Sequence, residues 1–171
     1  MKNIKANKII LIFLFIIFLG LMLYSFFTLP DKVAIHFSGS GVPNNWTNKL
    51  NYVISLGAVG ILLPLFIIWI FHIIPSLPKE MISLPNKEYW LAPERSQKTM
   101  SDLNVYGIWF ADILLYIFFI VGYLILDANK HSIVHSIPIQ YTLVPLTFPL
   151  LWFFWKFFSR FKKSANKSKI N

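Results

Sequence analysis

Four apolar runs, Ile9 to Phe27, Tyr52 to Ile74, Val105 to Leu126 and Ile139 to Phe158, each come close to the roughly 20 residues a helix needs to cross a ~30 Å hydrocarbon core. Lys and Arg collect in every second gap between them. The amino-terminal stretch carries Lys2, Lys5 and Lys8, and the middle gap carries Lys79, Lys87, Arg95 and Lys98. The carboxy-terminal stretch carries Lys156, Arg160, Lys162, Lys163, Lys167 and Lys169. That is 13 of the 16 basic residues, and only Lys32, Lys49 and Lys130 fall in the other two gaps. By the positive-inside rule both termini and the middle loop are cytoplasmic, and the first and third loops face outward. The expected fold is an all-α integral membrane protein with four transmembrane helices and a short extended segment in the first outer loop.

A hydrophobic content of 56% and a mean hydropathy of +0.60 exceed what soluble domains carry. With 171 residues the chain makes one bundle over 1–158, followed by a basic cytoplasmic tail over 159–171 that is disordered or lipid-bound. The net charge of +9 lies beside the apolar runs, so its expected partner is anionic lipid headgroups and not nucleic acid. The absence of cysteine removes disulfides, thiolate ligands and a Cys nucleophile. The basic opening and first apolar run look like a signal peptide. The run is long, however, and Leu23-Tyr24-Ser25 offers no small-x-small cleavage site, so it reads as a retained first helix.

Prolines punctuate the runs. Pro30 ends the first span, Pro75 and Pro78 end the second, and Pro138 precedes the fourth. Pro64, Pro145 and Pro149 fall inside spans and each leaves a carbonyl without its usual donor, so kinks are expected there, with neighbours or Thr142 and Thr147 re-satisfying the backbone. Gly57 and Gly60 predict a close helix approach in the second span.

In the first outer loop Val33, Ile35 and Phe37 alternate with Ala34 and His36, which predicts a short strand lying on the membrane, followed by a Ser-Gly-Ser-Gly turn. Pro43, Asn44 and Asn45 read as a second turn, and Trp46 and Tyr52 as anchors at the outer interface. The segment resembles the signature of a bacterial membrane family, domain of unknown function 1648. In that signature Pro-x-x-(Ile or Val)-Pro-x-His-(Phe or Trp) leads into a Gly-x-Pro-(Asp or Asn)-x-Trp-like end. Pro30, Val33, His36, Phe37, Gly41, Pro43 and Trp46 match it. Ala34 stands where the pattern usually has Pro, and Asn45 where an acidic residue is frequent, so no role here rests on a loop carboxylate.

A second block, Leu84-Pro-Asn-Lys-Glu-Tyr-Trp-Leu-Ala-Pro-Glu-Arg95, resembles a segment that follows the second helix in many members of that family. Its residues Asn86, Tyr89, Trp90, Pro93, Glu94 and Arg95 carry the likeness, and Ser96 replaces a residue often basic there. In physical terms Tyr89 and Trp90 fit an inner-leaflet aromatic belt. Pro93 and Glu94 fit the first turn of a helix that runs on through Asp102 into the third span. The family-like region covers about 25–100. It is also similar to the longer SdpI-like immunity proteins, which protect a producing cell from its own membrane-active toxin. That kinship implies a toxin peptide outside, or a regulator inside, as partner.

Asp112 lies about a dozen Å into the third span. An acidic group at that depth costs a few kcal/mol unless it faces the bundle interior, finds a partner or takes up a proton. It is either a functional group or a packing residue, with Gln140, Tyr141, Thr142 or the freed carbonyl near Pro64 as candidate partners. His72 is placed at the inner interface, near Asp102 or lipid phosphate.

Asp127, His131 and His135 are spaced by four, and a continued helix would align them as a divalent metal site could use. The loop around them is short and contains Pro138, no general-base pattern accompanies them, and a solvated loop with incidental histidines is the simpler reading. No catalytic residue, metal or cofactor is assigned. The expected function is a non-enzymatic membrane protein of the cell envelope that recognises an extracytoplasmic ligand, in toxin immunity or envelope signalling. A small transporter built around Asp112 is the alternative, and an outward-facing metal-dependent hydrolase a third. The sequence leaves the oligomeric state open.

Overall fold

A computed structural model describes residues 2–131 and 134–162. Helix α1 spans Lys2–Thr28 and leads into an antiparallel hairpin, β1 Lys32–Phe37 and β2 Pro43–Asn48. Helix α2, Lys49–Ile73, starts directly from β2, because the Asn48 side chain accepts the Asn51 N–H at 2.7 Å and satisfies one of the free donors of the first turn. Two short 3₁₀ turns, Ile74–Ser76 and Lys79–Met81, and the single-turn α3, Lys87–Trp90, connect to the long α4, Pro93–Asn129. Helix α5 runs over Ile139–Lys162. Four of these helices are long and apolar enough to cross a membrane. This is a multi-pass membrane protein.

Helix α4 begins as its sequence requires, with Pro93 in the first turn and Glu94 beside it, and continues unbroken for 37 residues, about 55 Å. That exceeds a bilayer core. Its first turns therefore stand beyond the hydrocarbon, at the end of the bundle that also holds α3 and the last turn of α5. The opposite end carries the hairpin.

Helix α4 is also the spine of the packing, contacting α1, α2 and α5. Near the hairpin, Phe18, Leu21, Met22, Tyr52, Leu115, Ile125 and Leu126 form one core with Leu29 and Val33. At the other end Ile82, Leu84, Trp90, Leu91, Leu103 and Phe161 form a second. Between them glycines set the helix separation: a Cβ at Gly60 would lie 2.3 Å from the Phe18 ring, and one at Gly107 would lie 2.5 Å from Phe71. The expected approach at Gly60 is present. Gly57 has only ordinary contact with Met22. Large apolar side chains such as Ile9, Phe13, Leu62, Phe66, Leu151 and Trp155 point away from these cores, as a lipid-facing surface requires.

Pro64, Pro145 and Pro149 each sit inside a continuous helix. Thr147 donates to the Leu143 carbonyl at 2.7 Å, one turn back, and not to the carbonyls that the two α5 prolines leave without their N–H.

Candidate functional site

The hairpin departs from simple alternation. Lys32, Val33 and Ala34 pair with Asn48, Thr47 and Trp46, but His36 then pairs with Asn45 and Phe37 with Pro43. Ile35 and Asn44 are thus extra residues, one on each strand. A bulge of this kind shifts which side chains face inward. Val33 and Ala34 are both buried, Val33 in the hairpin-end core and Ala34 against Asn129, while Ile35 is exposed. Pro43-Asn44-Asn45, read from sequence as a second turn, instead opens β2, because the turn is completed earlier: Ser38 N–H reaches Val42 O, Gly41 N–H reaches Ser38 O, and the Ser38 hydroxyl accepts the Val42 N–H.

Two junctions fix this hairpin to the bundle. In the first, Asn129 at the end of α4 is fully buried beneath Ala34. Its Oδ1 accepts the Ala34 N–H at 2.7 Å, and its Nδ2 donates to Ala34 O at 2.9 Å and to Ile125 O at 2.8 Å. A side-chain amide here takes the place of a neighbouring strand. In the second, Ile137 N–H donates to Gly41 O at 3.0 Å, joining the hairpin turn to the loop before α5. Gly41 has φ +82°, and a Cβ there would lie 2.0 Å from Ile137 O, so glycine is required twice over. The loop before α5 and the hairpin are therefore one cap.

Of the residues expected in this region, Phe37 packs against the hairpin-end core and Gly41 makes the junction just described. Pro30 is exposed between α1 and β1, and Pro43 opens β2. His36 Nδ1 is hydrogen-bonded to Asn44 Oδ1 in an exposed position, and Trp46 is exposed with the Lys32 ammonium 5.6 Å from its ring centre. Tyr52 is no interfacial anchor. It is 4% exposed, and its hydroxyl donates to Gly122 O at 3.2 Å, which ties α2 to α4.

Residues 11–61 match a family model, Domain of unknown function (DUF1648). The match takes in most of α1, the whole hairpin and the first half of α2. Of the region expected to be family-like, 25–100, it covers the part up to 61 and reaches back to 11. The curated proteins and the solved structures contain no match to the chain.

The block around Asn86 forms a junction at the other end. Asn86 adopts a left-handed backbone (φ 54°, ψ 42°) and its Nδ2 donates to the carbonyls of Phe161 and Lys162, at 3.1 and 3.3 Å. Trp90 Nε1 donates to Phe161 O at 2.8 Å. These hydrogen bonds join the block to the last described turn of α5. Thr99 on α4 donates to Trp90 O, and Arg160 reaches Asp102 at 2.7 Å while its guanidinium lies 4.4 Å from the Trp90 ring centre. Trp90 is therefore buried within the protein and is not part of an aromatic belt. Arg95 stacks on Tyr89 at 3.9 Å and donates to its carbonyl, while Pro93 and the exposed Glu94 occupy the first turn of α4. Asp102 pairs with Arg160, not with His72, which is exposed.

Asp112 is half-buried on α4 between the two junctions, and its Oδ1 is buried with no hydrogen-bond donor among the described residues. The side chains of its expected partners Gln140 and Tyr141 lie outside the described set, and Thr142 has an interaction of its own. Asp127, His131 and His135 do not share a helical face, since α4 stops at Asn129. The His131 and His135 rings are 5.3 Å apart. Asp127 binds Lys130 at 2.6 Å, and through that hydrogen bond and its charge it holds the ammonium above its usual pKa.

Proposed function

We propose that this is a non-enzymatic membrane protein of the cell envelope, with both termini cytoplasmic, whose hairpin cap recognises an extracytoplasmic ligand in toxin immunity or envelope signalling. The observation that carries the reading is the locking of the hairpin: Asn129 holds Ala34 and Ile137 holds Gly41, so the outer surface of the cap is preorganised. That surface offers Val42 and Trp46 as exposed apolar groups beside the His36 and Asn44 pair. Exposed aromatic and aliphatic groups on a rigid frame are what a recognition surface uses. The proposed orientation is supported by the positive-inside rule, since 13 of the 16 basic residues lie in the two terminal stretches and the middle gap.

The test is deletion of the gene followed by challenge with envelope-active peptides, with complementation by wild type and by Trp46→Ala. Raised sensitivity that wild type reverses and the variant does not would support the reading. Unchanged sensitivity on deletion would remove it.

A second reading, a small transporter or permease subunit, is favoured by the buried Asp112 oxygen, because acidic groups within membrane helices mark ion and proton paths. It predicts that Asp112→Asn abolishes a transport or proton-coupling activity. An active Asp112→Asn protein would end it.

A further inference from the structure

Beneath the hairpin, between α2 and α4, lies a groove of about 380 Å³. Leu56 and Val59 of α2 form one wall, and Phe118 and Val121 of α4 the other. Ile35 and Thr47 of the hairpin close it at one end, where Asn51 and Ser55 add the remaining polar groups. None of the described side chains of α5 lines this groove. The aromatic contacts of α5 with α4 run from Tyr106 to Phe110, against Trp152, Phe153 and Phe157, whereas Leu143, Val144 and Phe148 nearer the hairpin are exposed.

We propose that this groove is a lipid site that seats one acyl chain of a glycerolipid, with the ester linkage at the Thr47 and Asn51 end. Both walls belong to membrane-crossing helices, so the groove opens to hydrocarbon and not to water. From Asn51 to Val59 it extends about 12 Å along α2, the direction a lipid chain takes in a bilayer. Its polarity is graded. The hydroxyls of Thr47 and Ser55 and the Asn51 amide lie toward the hairpin, and the walls deeper in are purely apolar. Among the described residues no ionisable acid or base lines it apart from Tyr52, whose hydroxyl already donates to Gly122 O. The polar end therefore suits a neutral ester and not a charged headgroup. An apolar recess inside a bilayer loses dispersion contacts on every unfilled wall, and a chain restores them. The site is independent of what the outer surface of the cap recognises.

Full-length protein in phosphatidylcholine nanodiscs containing a trace of phosphatidylcholine with a mid-chain diazirine tests this. After irradiation, adducts are mapped by mass spectrometry. Adducts concentrated on Leu56–Val59 and Phe118–Val121 are expected, falling several-fold in Ser55→Phe and in Val121→Trp, with labelling at the lipid-facing Leu151 unchanged. Ser55 is exposed, so its variant keeps the experiment informative should Val121→Trp fail to fold. Exchanging the probe for a phosphatidylglycerol of the same chain should leave the pattern intact. Labelling spread evenly over the exposed apolar positions of all four helices, or groove adducts that persist in Ser55→Phe, would overturn the assignment. A pattern that follows headgroup charge would also overturn it.

Discussion

The side chain of Asn129 pairs with the backbone of Ala34 in both directions, accepting its N–H at 2.7 Å and donating to its carbonyl at 2.9 Å. These residues are 95 positions apart, and the contact is buried. It fastens the hairpin to the last residue of α4. Each backbone group left without a partner in such a place costs about 1–3 kcal/mol.

Asn129→Leu is accordingly expected to lower stability by about 2–5 kcal/mol, since Ala34 loses both partners and the amide's packing is replaced by a branched group. Hydrogen exchange should show the effect first at Val33–Ile35. Wild-type protection of those amides in the variant would mean that the junction is not what holds the hairpin.

Gly41→Ala must adopt a positive φ and also displace Ile137 O, for a penalty of roughly 1–3 kcal/mol. Gly39 provides the control, since a Cβ added there would meet nothing within 4 Å. Limited proteolysis should open the cap of Gly41→Ala and leave Gly39→Ala as resistant as wild type.

At the opposite end, Trp90→Phe keeps an aromatic ring and removes one of the two side-chain donors to Phe161 O, so the last described turn of α5 should lose exchange protection at a cost of about 1 kcal/mol. The Asp102–Arg160 pair is about one-third exposed on both sides. A double-mutant cycle with Asp102→Asn and Arg160→Gln should therefore return a coupling of only about 0.2–1 kcal/mol that shrinks with salt. A coupling much larger than that would place the pair in a drier setting than the one described.

Asp112→Leu replaces a half-buried carboxyl by an apolar group in apolar surroundings. Its expected effect is a rise in stability of about 2–3 kcal/mol, read from the midpoint of unfolding in mixed detergent. A stabilised protein that has lost its biological activity would identify Asp112 as a functional group held at a structural cost. A destabilised one would show that it has a partner.

Sidedness has a clean test because the chain has no cysteine. Ser40→Cys and Ser83→Cys place single thiols on exposed loops at opposite ends. Impermeant maleimide should label the first in intact cells and the second only after permeabilisation.

Span number, approximate limits and the run of α4 from Pro93 into the third span were legible in the sequence, because bilayer thickness sets helix length and proline sets where a helix can start. The same holds for the first strand and for Gly60 as a contact. Local patterns carry that information within a few residues. The hairpin's second strand was not legible, since Pro43-Asn44-Asn45 has turn chemistry and became a strand only by pairing with β1 across two bulges. Tyr52 and Trp90 look like interfacial aromatics in sequence, and only their distant acceptors, the carbonyls of Gly122 and Phe161, put them inside the protein. Asn129 gave no signal beyond that of a residue ending a helix. A buried amide declares its role through the backbone it meets, and that meeting is a property of the folded chain alone.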